Sequence, residues 1–311
     1  MTRPDRPFLA ITLRVAAMVM LSTMFMLIKY AGQRGVSAPE MMFWRQAMSV
    51  MILFVWLMAT GNMKVLATRR TASHARRAAT GTLGLFCNIS AAMLLPLAEA
   101  TTLGFTAPLF AVLITALIVK EKVGIWRWTA VILGFLGVVI IAQPGQAPIP
   151  VLGLAAGLGA GVIVAAISFQ IRDLTRTDEP IACVFWFAFF GSLMTAILLP
   201  LYMTPHTLDV WLLLGGVGLA GTAAQFLITA SLRHGQVATV MAMDYTALIW
   251  ATLYGWLIWD QLPSSTTWLG APAIIGAGLI IIGREQRLAR QISPASAIDE
   301  GAIEEAAPRG T

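Results

Sequence analysis

The chain has 311 residues, of which 58% are hydrophobic and only 12% are charged, and its mean hydropathy is +0.78. Soluble domains carry about 25% charged residues, so this composition excludes an ordinary soluble protein and indicates an integral membrane protein. The formal net charge of +6 comes from basic residues in short loops beside apolar stretches. Contact with the headgroups of a lipid bilayer explains these residues better than nucleic-acid binding, which is not expected.

Ten apolar stretches follow one another along the chain, numbered here as predicted spans 1 to 10. Each is long enough, at about 1.5 Å per residue, to cross a hydrocarbon core of about 30 Å as a helix. They lie near residues 8–28, 41–60, 78–96, 101–119, 124–142, 150–171, 181–202, 210–232, 236–259 and 267–283. The sequence therefore predicts an all-α integral membrane protein with ten transmembrane helices.

The basic residues predict the orientation of these helices. If the chain starts in the cytoplasm and then alternates sides, 18 of the 21 Lys and Arg residues fall on the cytoplasmic side, and Lys29, Arg34 and Arg45 do not. An excess of Lys and Arg marks the cytoplasmic loops of membrane proteins. The pattern predicts a multi-pass protein with both termini in the cytoplasm.

The cysteines and the C-terminal residues add two expectations. Cys87 and Cys183 lie inside predicted spans without metal-ligand spacing, so no metal and no other cofactor is expected. Residues 291–311 are rich in Ala and acidic residues and show no periodicity. This composition predicts a disordered cytoplasmic tail.

Weak internal similarity divides the remaining chain into two halves, residues 1–145 and 146–290. Glu121 ends one apolar stretch and Gly137 follows, while Asp260 ends another and Gly276 follows at the same distance. Five spans per half is an odd number, so a second copy would enter the membrane from the opposite side. The prediction is two inverted five-helix repeats around a central cavity, an architecture of many secondary transporters. Two unrelated halves of similar composition are the alternative.

Several segments carry a resemblance to a known family. They are FWRQ at residues 43–46, AEATTLGFTAPLF at 98–110, DYTALIWATLYGWLIWDQLP at 244–263 and LGAPAIIGAGLIIIGRE at 269–285. In these segments the chain resembles the drug/metabolite transporter superfamily, and more narrowly its EamA-type members with ten spans. The resemblance implies movement of a small organic solute across the bacterial inner membrane, driven by an electrochemical gradient, through a cavity between the halves.

The second copy departs from the family pattern at two places. It has Met243 and Ala247 where the family often has a proline, and Asp260 where the family usually has Glu. The sequence therefore does not predict that span 9 is interrupted in the way that a proline would interrupt span 4.

Asp244 is the strongest candidate for a functional group. Among the 15 Asp and Glu residues, it is the one that lies well inside a predicted span. A charged side chain there is costly unless it faces water or a partner, so function is the default interpretation. It is a candidate for carrying a coupling proton or for binding a cationic group of the substrate. A structural Asp hydrogen-bonded to Tyr245 is the alternative.

Four other positions have competing interpretations. Arg45 could hold a substrate carboxylate with two parallel hydrogen bonds, reach the outer headgroups, or pair with Glu40. Glu99, in the short turn between spans 3 and 4, could be an outer gate, a helix cap or a plain loop carboxylate. Pro108 would kink span 4 and free a backbone carbonyl group for the cavity. Lys29 is expected to anchor the outer end of span 1.

The remaining candidates for substrate binding are polar or aromatic side chains well inside the spans. They are Asn88, Gln170, Gln225, Tyr245 and Trp250. Each of them alone is also typical of an interhelical hydrogen bond or of packing against lipid.

Comparison of the function classes favours a transporter. The three histidines fall in loops or at span ends, and the sequence contains no nucleophile–base set, paired carboxylates or P-loop, so an enzyme is not expected. A channel would show a repeated filter or ring of charges. The sequence predicts a secondary-active transporter that exports an amino acid or a related small metabolite by alternating access. Import of a planar metabolite such as riboflavin or S-adenosylmethionine and a membrane scaffold are the alternatives, and a homodimer is compatible with each.

Overall fold

The computed structural model describes residues 7–120, 123–142, 150–232, 234 and 237–305. These ranges contain helices and no β-strand. The helices of the first half are α1 (Pro7–Gln33), α2 (Ala38–Ala59), α3 (Thr71–Leu94), α4 (Leu97–Gly104), α5 (Ala107–Ile114) and α6 (Ile125–Ala142). Those of the second half are α7 (Val151–Leu174), α8 (Pro180–Ala196), α9 (Leu199–Tyr202), α10 (Leu208–Leu232), α11 (Val237–Ala242), α12 (Ala247–Trp259) and α13 (Ser265–Glu305).

Seven helical segments of the described chain are long and apolar enough to cross a membrane. They are Phe8–Gln33, Ala38–Ala59, Leu97–Val119, Ile125–Ala142, Val151–Leu174, Leu208–Ser231 and Ser265–Arg284. The helix α8 is apolar but shorter, with 17 residues. The prediction of an all-helical protein that passes the membrane several times is confirmed for these residues.

The other two predicted spans are helical but differ in composition or continuity. The helix α3 has 24 residues, but His74, Arg76 and Arg77 in its first turns lower its hydropathy. Predicted span 9 is divided into α11, a 3-10 turn over Met243–Thr246, and α12. Neither segment is therefore both continuous and apolar enough to be counted among the seven.

Predicted spans 4 and 9 are both interrupted near their middle. In span 4, α4 ends at Gly104 and α5 begins at Ala107, with Pro108 in its first turn. The interruption of span 9 at Met243–Thr246 was not predicted, because no proline lies there. At this point Thr246 Oγ1 donates to the Met243 carbonyl oxygen at 2.7 Å, a hydroxyl-to-backbone bond of the kind that bends helices.

Long-range packing joins the two halves throughout. The helix α1 packs along α10, α3 along α7, α6 along α13, and α2 along both α8 and α10. The interrupted spans also meet, since α4 contacts α12. The largest apolar cluster lies where α1, α2, α3 and α10 come together, and it includes Met24, Ile28, Met41, Ile89 and Leu214.

Two histidine–carboxylate pairs hold connecting segments against helix ends. His74 Nε2 lies 2.7 Å from Asp178 Oδ2, and His206 Nε2 lies 2.8 Å from Glu40 Oε1. Burial opposes ionisation of Asp178, but hydrogen bonds from Thr68, His74 and Thr177 outweigh it and lower the pKa of Asp178 below its ordinary value. Glu40 is therefore engaged by a histidine and not by Arg45.

The C-terminal part of α13 differs from the prediction. The helix continues to Glu305, so the described backbone is helical beyond residue 291, where the composition predicted disorder. Ala and Glu, which are frequent there, are among the strongest helix formers. Residues 306–311, Glu121 and the predicted boundary between residues 145 and 146 lie outside the described residues.

The helices α6 and α13 approach each other closely at Gly137 and Gly270. A Cβ atom at Gly137 would lie 2.7 Å from the Gly270 carbonyl oxygen, and one at Gly270 would lie 2.5 Å from the Gly137 carbonyl oxygen. Both positions meet backbone, which cannot rotate away. Small residues are needed at this crossing.

We expect Gly270→Ala to lower the free energy of unfolding by about 1–3 kcal/mol, because the added methyl group forces the two backbones apart. Gly276→Ala is the matched control on the same helix, since a Cβ atom there meets nothing within 4 Å. The control should be neutral or stabilising, because Ala is the better helix former. Thermal unfolding of the purified variants in detergent measures both changes in stability. Equal stability of the two variants would contradict the close crossing.

Candidate functional site

A cavity of about 990 Å³ lies between the two halves. Its walls come from α1, α3, α4, α5, α7, α10, α11, the Met243–Thr246 turn, α12 and α13. Most of the lining is apolar, and the polar side chains are Arg14, Ser22, Asn88, Thr101, Ser168, Asp244 and Tyr245. A large apolar cavity with few polar groups is typical of a site for a small organic molecule.

Arg14 and Asp244 form a bidentate ion pair in the wall of this cavity. Arg14 Nε lies 2.5 Å from Asp244 Oδ1, and Arg14 Nη2 lies 2.7 Å from Oδ2. The arginine side chain is 8% exposed and the aspartate side chain 31% exposed. Two parallel bonds of this kind are the strongest geometry for a guanidinium and a carboxylate. Asp244 is therefore paired, whereas the sequence had suggested an isolated carboxylate.

Two carboxylates at helix starts are more deeply buried than Asp244. Glu40 is fully buried and Glu99 is 3% exposed, so both are less accessible than Asp244. The sequence placed them at span ends because they follow short turns. In the fold His206 contacts Glu40, and Ser264 and Thr267 contact Glu99, so segments distant in sequence cover both carboxylates.

Aromatic side chains meet where the two interrupted spans face each other. The rings of Phe105 and Tyr245 lie edge to face with centroids 4.9 Å apart, and both line the cavity. The Tyr245 hydroxyl group lies against Gly278, where a Cβ atom would overlap it. Gly278 thus lets α13 approach the tyrosine closely, and the turn at Met243–Thr246 presents Asp244 and Tyr245 together.

Several polar groups offer further hydrogen bonds to a ligand. Asn88 Nδ2 donates to the Gly84 carbonyl oxygen at 2.9 Å, and its own carbonyl oxygen accepts no hydrogen bond from a described residue. Pro108 has no N–H group, so it cannot donate to the Gly104 carbonyl oxygen four residues earlier. Gly104 lines the cavity, and a Cβ atom there would meet nothing within 4 Å.

A second set of charged residues, the Lys29–Glu99 cluster, lies at the end of the cavity where α4 begins. Lys29 Nζ donates to the Leu95 carbonyl oxygen at 2.7 Å and lies 5.4 Å from the centre of the Trp259 ring. Glu99 Oε1 accepts from the Ser264 N–H at 3.2 Å and from the Thr267 hydroxyl group at 3.0 Å. Of the three interpretations of Glu99, its contacts fit a cap on α13. Lys29 is 7% exposed, which argues against a simple lipid anchor.

Four predicted site residues do not line this cavity. Arg45 Nη1 donates to Gln46 Oε1, and Gln170 Nε2 donates to Thr80 Oγ1. Gln225 lines a separate cavity of about 210 Å³ between α2, α8 and α10. Trp250 packs against an apolar cluster that includes Met18. Of the predicted site residues, Asn88, Asp244, Tyr245 and Pro108 therefore line the cavity. Arg45, Gln170, Gln225, Trp250 and Glu99 do not.

The sequence analysis missed Arg14, which it counted only as a cytoplasmic charge. A signal was present, because Arg14 lies about two turns inside an otherwise apolar stretch. Phe105 was also missed, since a phenylalanine in an apolar helix carries no sign of which side it faces. Within the described part of the chain, no three metal-ligating side chains of His, Cys, Asp or Glu lie together.

Comparison with known proteins identifies the family. The model of the EamA-like transporter family matches the chain twice, over residues 8–143 and 151–283. The chain belongs to this family. The resemblance to the drug/metabolite transporter superfamily is thereby confirmed, and the protein is a small-molecule transporter of the membrane and not an enzyme.

Individual relatives cover most of the chain at moderate identity. The chain is 28% identical to the riboflavin transporter of Vibrio cholerae over 83% of this chain and 87% of that protein. It is 26% identical to the pseudopaline exporter CntI of Pseudomonas aeruginosa over 86% and 93% of the two chains. It is also 26% identical to the S-adenosylmethionine uptake transporter of Rickettsia prowazekii, over 83% and 87%.

A solved crystal structure shows the same fold. It superposes with a TM-score of 0.60 at 19% identity and covers 90% of this chain and 98% of that chain. At this identity the match concerns the arrangement of helices alone.

We expect Arg14→Gln and Asp244→Asn each to lower the free energy of unfolding by about 2–3 kcal/mol, because each leaves a partly buried charge without its partner. The double variant should lose less than the sum of the two. The control is the exposed pair of Arg34 and Asp209, with side chains 46% and 53% exposed, which should show little coupling. Additive losses in a double-mutant cycle at Arg14 and Asp244 would contradict a direct interaction.

Proposed function

We propose that this EamA-family protein is a secondary-active transporter of the bacterial inner membrane that exports an amino acid or a related small organic solute by alternating access. The observation that carries the proposal is the Arg14–Asp244 ion pair in the wall of an apolar cavity between two halves of the chain. An ion pair in such a place offers both a cationic and an anionic partner to a solute that bears both charges.

The packing of the helices supports an inverted repeat of residues 1–145 and 146–290. If α1, α2, α3, α4–α5 and α6 correspond to α7, α8, α10, α11–α12 and α13, most of the contacts occur in equivalent pairs. The contact of α1 with α10 corresponds to that of α7 with α3, and α2 with α10 corresponds to α8 with α3. The pairs α2 with α8 and α6 with α13 correspond to themselves. The two matches to the family model support the same division.

Local details repeat at the same offset. Among the described residues, Lys120 and Asp260 are the non-glycine residues with positive φ, at 60° and 52°, and each ends the helix of an interrupted span. Phe105 and Tyr245 lie at the two interruptions and touch each other. The number of residues between Lys120 and Asp260 equals the number between Phe105 and Tyr245. An axis that relates the halves would pass between the two rings.

The ten-span topology is tested by reporters fused at two positions. We expect a reporter after Arg290 to be cytoplasmic and a reporter between residues 143 and 150 to be periplasmic, because the positive-inside pattern places them there. Alkaline phosphatase and green fluorescent protein fusions at the same sites give opposite signals and check each other. A cytoplasmic signal between 143 and 150 would remove both the ten-span order and the inverted repeat.

Export driven by a proton gradient requires that the proton and the substrate compete for one group. We assign this role to Asp244, which is 31% exposed in the cavity. A proton on Asp244 would release Arg14, and an amino group of the substrate would replace the proton on the carboxylate. The Arg14 guanidinium would then be free for the substrate's own carboxylate.

The Lys29–Glu99 cluster and Pro108 are the proposed gating elements. The cluster joins the end of α1, the turn between α3 and α4, and the start of α13. These are segments of both halves, so rocking of one half against the other would break its hydrogen bonds. The interruption beside Pro108 lets α4 and α5 move as separate units.

Import of a planar metabolite is the second candidate, and the aromatic wall of the cavity favours it. Phe25, Phe105 and Tyr245 line the cavity and offer rings for stacking. The relatives named as riboflavin and S-adenosylmethionine transporters point the same way. Proteoliposomes with labelled amino acids, riboflavin and S-adenosylmethionine, with and without a pH gradient, separate the two candidates.

We expect Asp244→Asn to abolish transport driven by a pH gradient, because an amide cannot exchange a proton. Counterflow of an amino acid substrate, which needs no net proton movement, should persist with KM raised roughly tenfold, equivalent to about 1.4 kcal/mol. Asp260→Asn is the matched control, because Asp260 is exposed and its left-handed conformation suits Asn. Gradient-driven transport at the wild-type rate by folded Asp244→Asn protein would refute the coupling role.

A further inference from the structure

The Tyr245 side chain lies in a recess of α13 beside the cavity of about 990 Å³. Its ring is edge to face with that of Phe105, with centroids 4.9 Å apart and planes at 74°. No described residue forms a hydrogen bond with the Tyr245 hydroxyl group. Buried tyrosine hydroxyl groups usually have such a partner, so packing alone fixes the position of this ring.

The recess exists because residue 278 of α13 is a glycine. A Cβ atom at Gly278 would overlap the Tyr245 hydroxyl oxygen and would lie 2.9 Å from Cζ of the same ring. No larger residue fits there while the ring keeps its present position. Gly276, two residues earlier on the same helix, has no atom within 4 Å of such a Cβ atom. The recess is therefore confined to position 278.

The helix α13 has no room to move away from the ring. Ala277 and Ile281, close to Gly278 in sequence, are 0% and 3% exposed and pack in an apolar cluster with residues of α5 and α6. At Gly270 the backbone of α13 already lies against the backbone of α6. A shift of the helix would disturb all of these close-packed contacts, whereas rotation of one side chain disturbs few. A larger residue at position 278 would therefore displace the Tyr245 ring.

The free space beside the ring is the cavity itself. Tyr245 and Phe105 line the cavity where predicted spans 9 and 4 are interrupted. Phe105 bounds the tyrosine ring on one side and α13 bounds it on another, so the open direction leads into the cavity. A ring displaced from the recess would narrow the cavity at the level of the two interruptions.

This level divides the length of the cavity. The helices α4 and α5 run parallel to α7, because successive contacts between them are Gly157 with Leu103 and Gly161 with Thr106. Thr101 lies before these contacts and Ser168 lies after them, and both residues line the cavity. Thr101 and Ser168 are therefore on opposite sides of the Phe105 ring.

We propose that Gly278 is a positioning residue that sets the size of the largest solute able to pass between the two ends of the cavity. It acts by receiving the Tyr245 hydroxyl group, which holds the ring aside. The inference rests on the proposed function, because a size limit has a consequence only for a solute that crosses this cavity. With a larger residue at position 278, small aliphatic solutes would still pass the Phe105–Tyr245 pair, and solutes with a ring system would not.

The test measures the access of thiol reagents to each side of the ring pair in the purified full-length protein. Cys87 and Cys183 are replaced by alanine, and a single new cysteine is introduced by Thr101→Cys or by Ser168→Cys. The Lys29–Glu99 cluster lies at the end of the cavity nearer Thr101, so reagents are expected to enter from the other end. N-ethylmaleimide and fluorescein-5-maleimide carry the same reactive group and differ in size.

We expect Gly278→Ala to slow the reaction of fluorescein-5-maleimide at position 101 by roughly tenfold, equivalent to about 1.4 kcal/mol on the barrier. The reaction of N-ethylmaleimide there, and of both reagents at position 168, should change little. Gly276→Ala is the matched control and should alter none of these rates. Adding Tyr245→Phe to Gly278→Ala should restore most of the lost rate, because it removes the overlapping oxygen.

Equal slowing of both reagents at position 101, equal effects of Gly278→Ala and Gly276→Ala, or no recovery with Tyr245→Phe overturns the proposal. If Gly278→Ala does not fold, Tyr245→Ala tests the same limit from the side of the ring. It should speed fluorescein-5-maleimide at position 101 severalfold, and an unchanged rate overturns the proposal. Labelling requires no transported solute. Failure of the proposed function, seen as absent flux in wild-type proteoliposomes, is thus distinguishable from failure of the size limit.

Discussion

The ion pair between Arg14 and Asp244 is the interaction on which the central part of the structure depends. It joins α1 to the interruption of predicted span 9, across 230 residues of sequence. A charge in an apolar environment is tolerated only with a partner, so neither residue can move far without the other. Two further hydrogen bonds join α1 to α12. The Ser22 hydroxyl group donates to the Ala247 carbonyl oxygen at 3.3 Å, and the hydroxyl groups of Thr23 and Tyr254 lie 2.8 Å apart. The pair thus sets the distance between the walls of the cavity.

The interruptions of spans 4 and 9 make room for this pair. A continuous helix would satisfy its own backbone and present an apolar surface, whereas each interruption presents two or three residues in a different direction. Phe105 and Tyr245 meet at the point where the interruptions face each other. At both interruptions a threonine hydroxyl group donates to the carbonyl oxygen three residues earlier, Thr106 to Leu103 and Thr246 to Met243, and a proline is present only at the first. The two halves therefore share this hydrogen bond and differ in the proline.

Several other buried charged groups are hydrogen-bonded locally, and each of these bonds ties separate segments together. Glu40 meets His206, Asp178 meets His74, and Glu99 accepts hydrogen bonds from the start of α13. Arg77 departs from this rule, because no described carboxylate forms an ion pair with it and its guanidinium packs 4.3 Å from the centre of the Phe187 ring. An unpaired buried polar group is costly in a low-dielectric interior.

The sequence by itself determined the properties that depend on composition and on local order along the chain: an all-helical protein that passes the membrane several times, and its family. The length of an apolar stretch and the missing N–H group of a proline are local properties. Their effects on helix formation can therefore be predicted without knowing which helices lie beside them. Only the tertiary structure decided that Arg14 is the partner of Asp244, that Glu40 and Glu99 are buried, and that Arg45 faces away from the cavity. Each of these depends on which helix lies beside which, and many pairings of apolar helices satisfy the same hydropathy pattern.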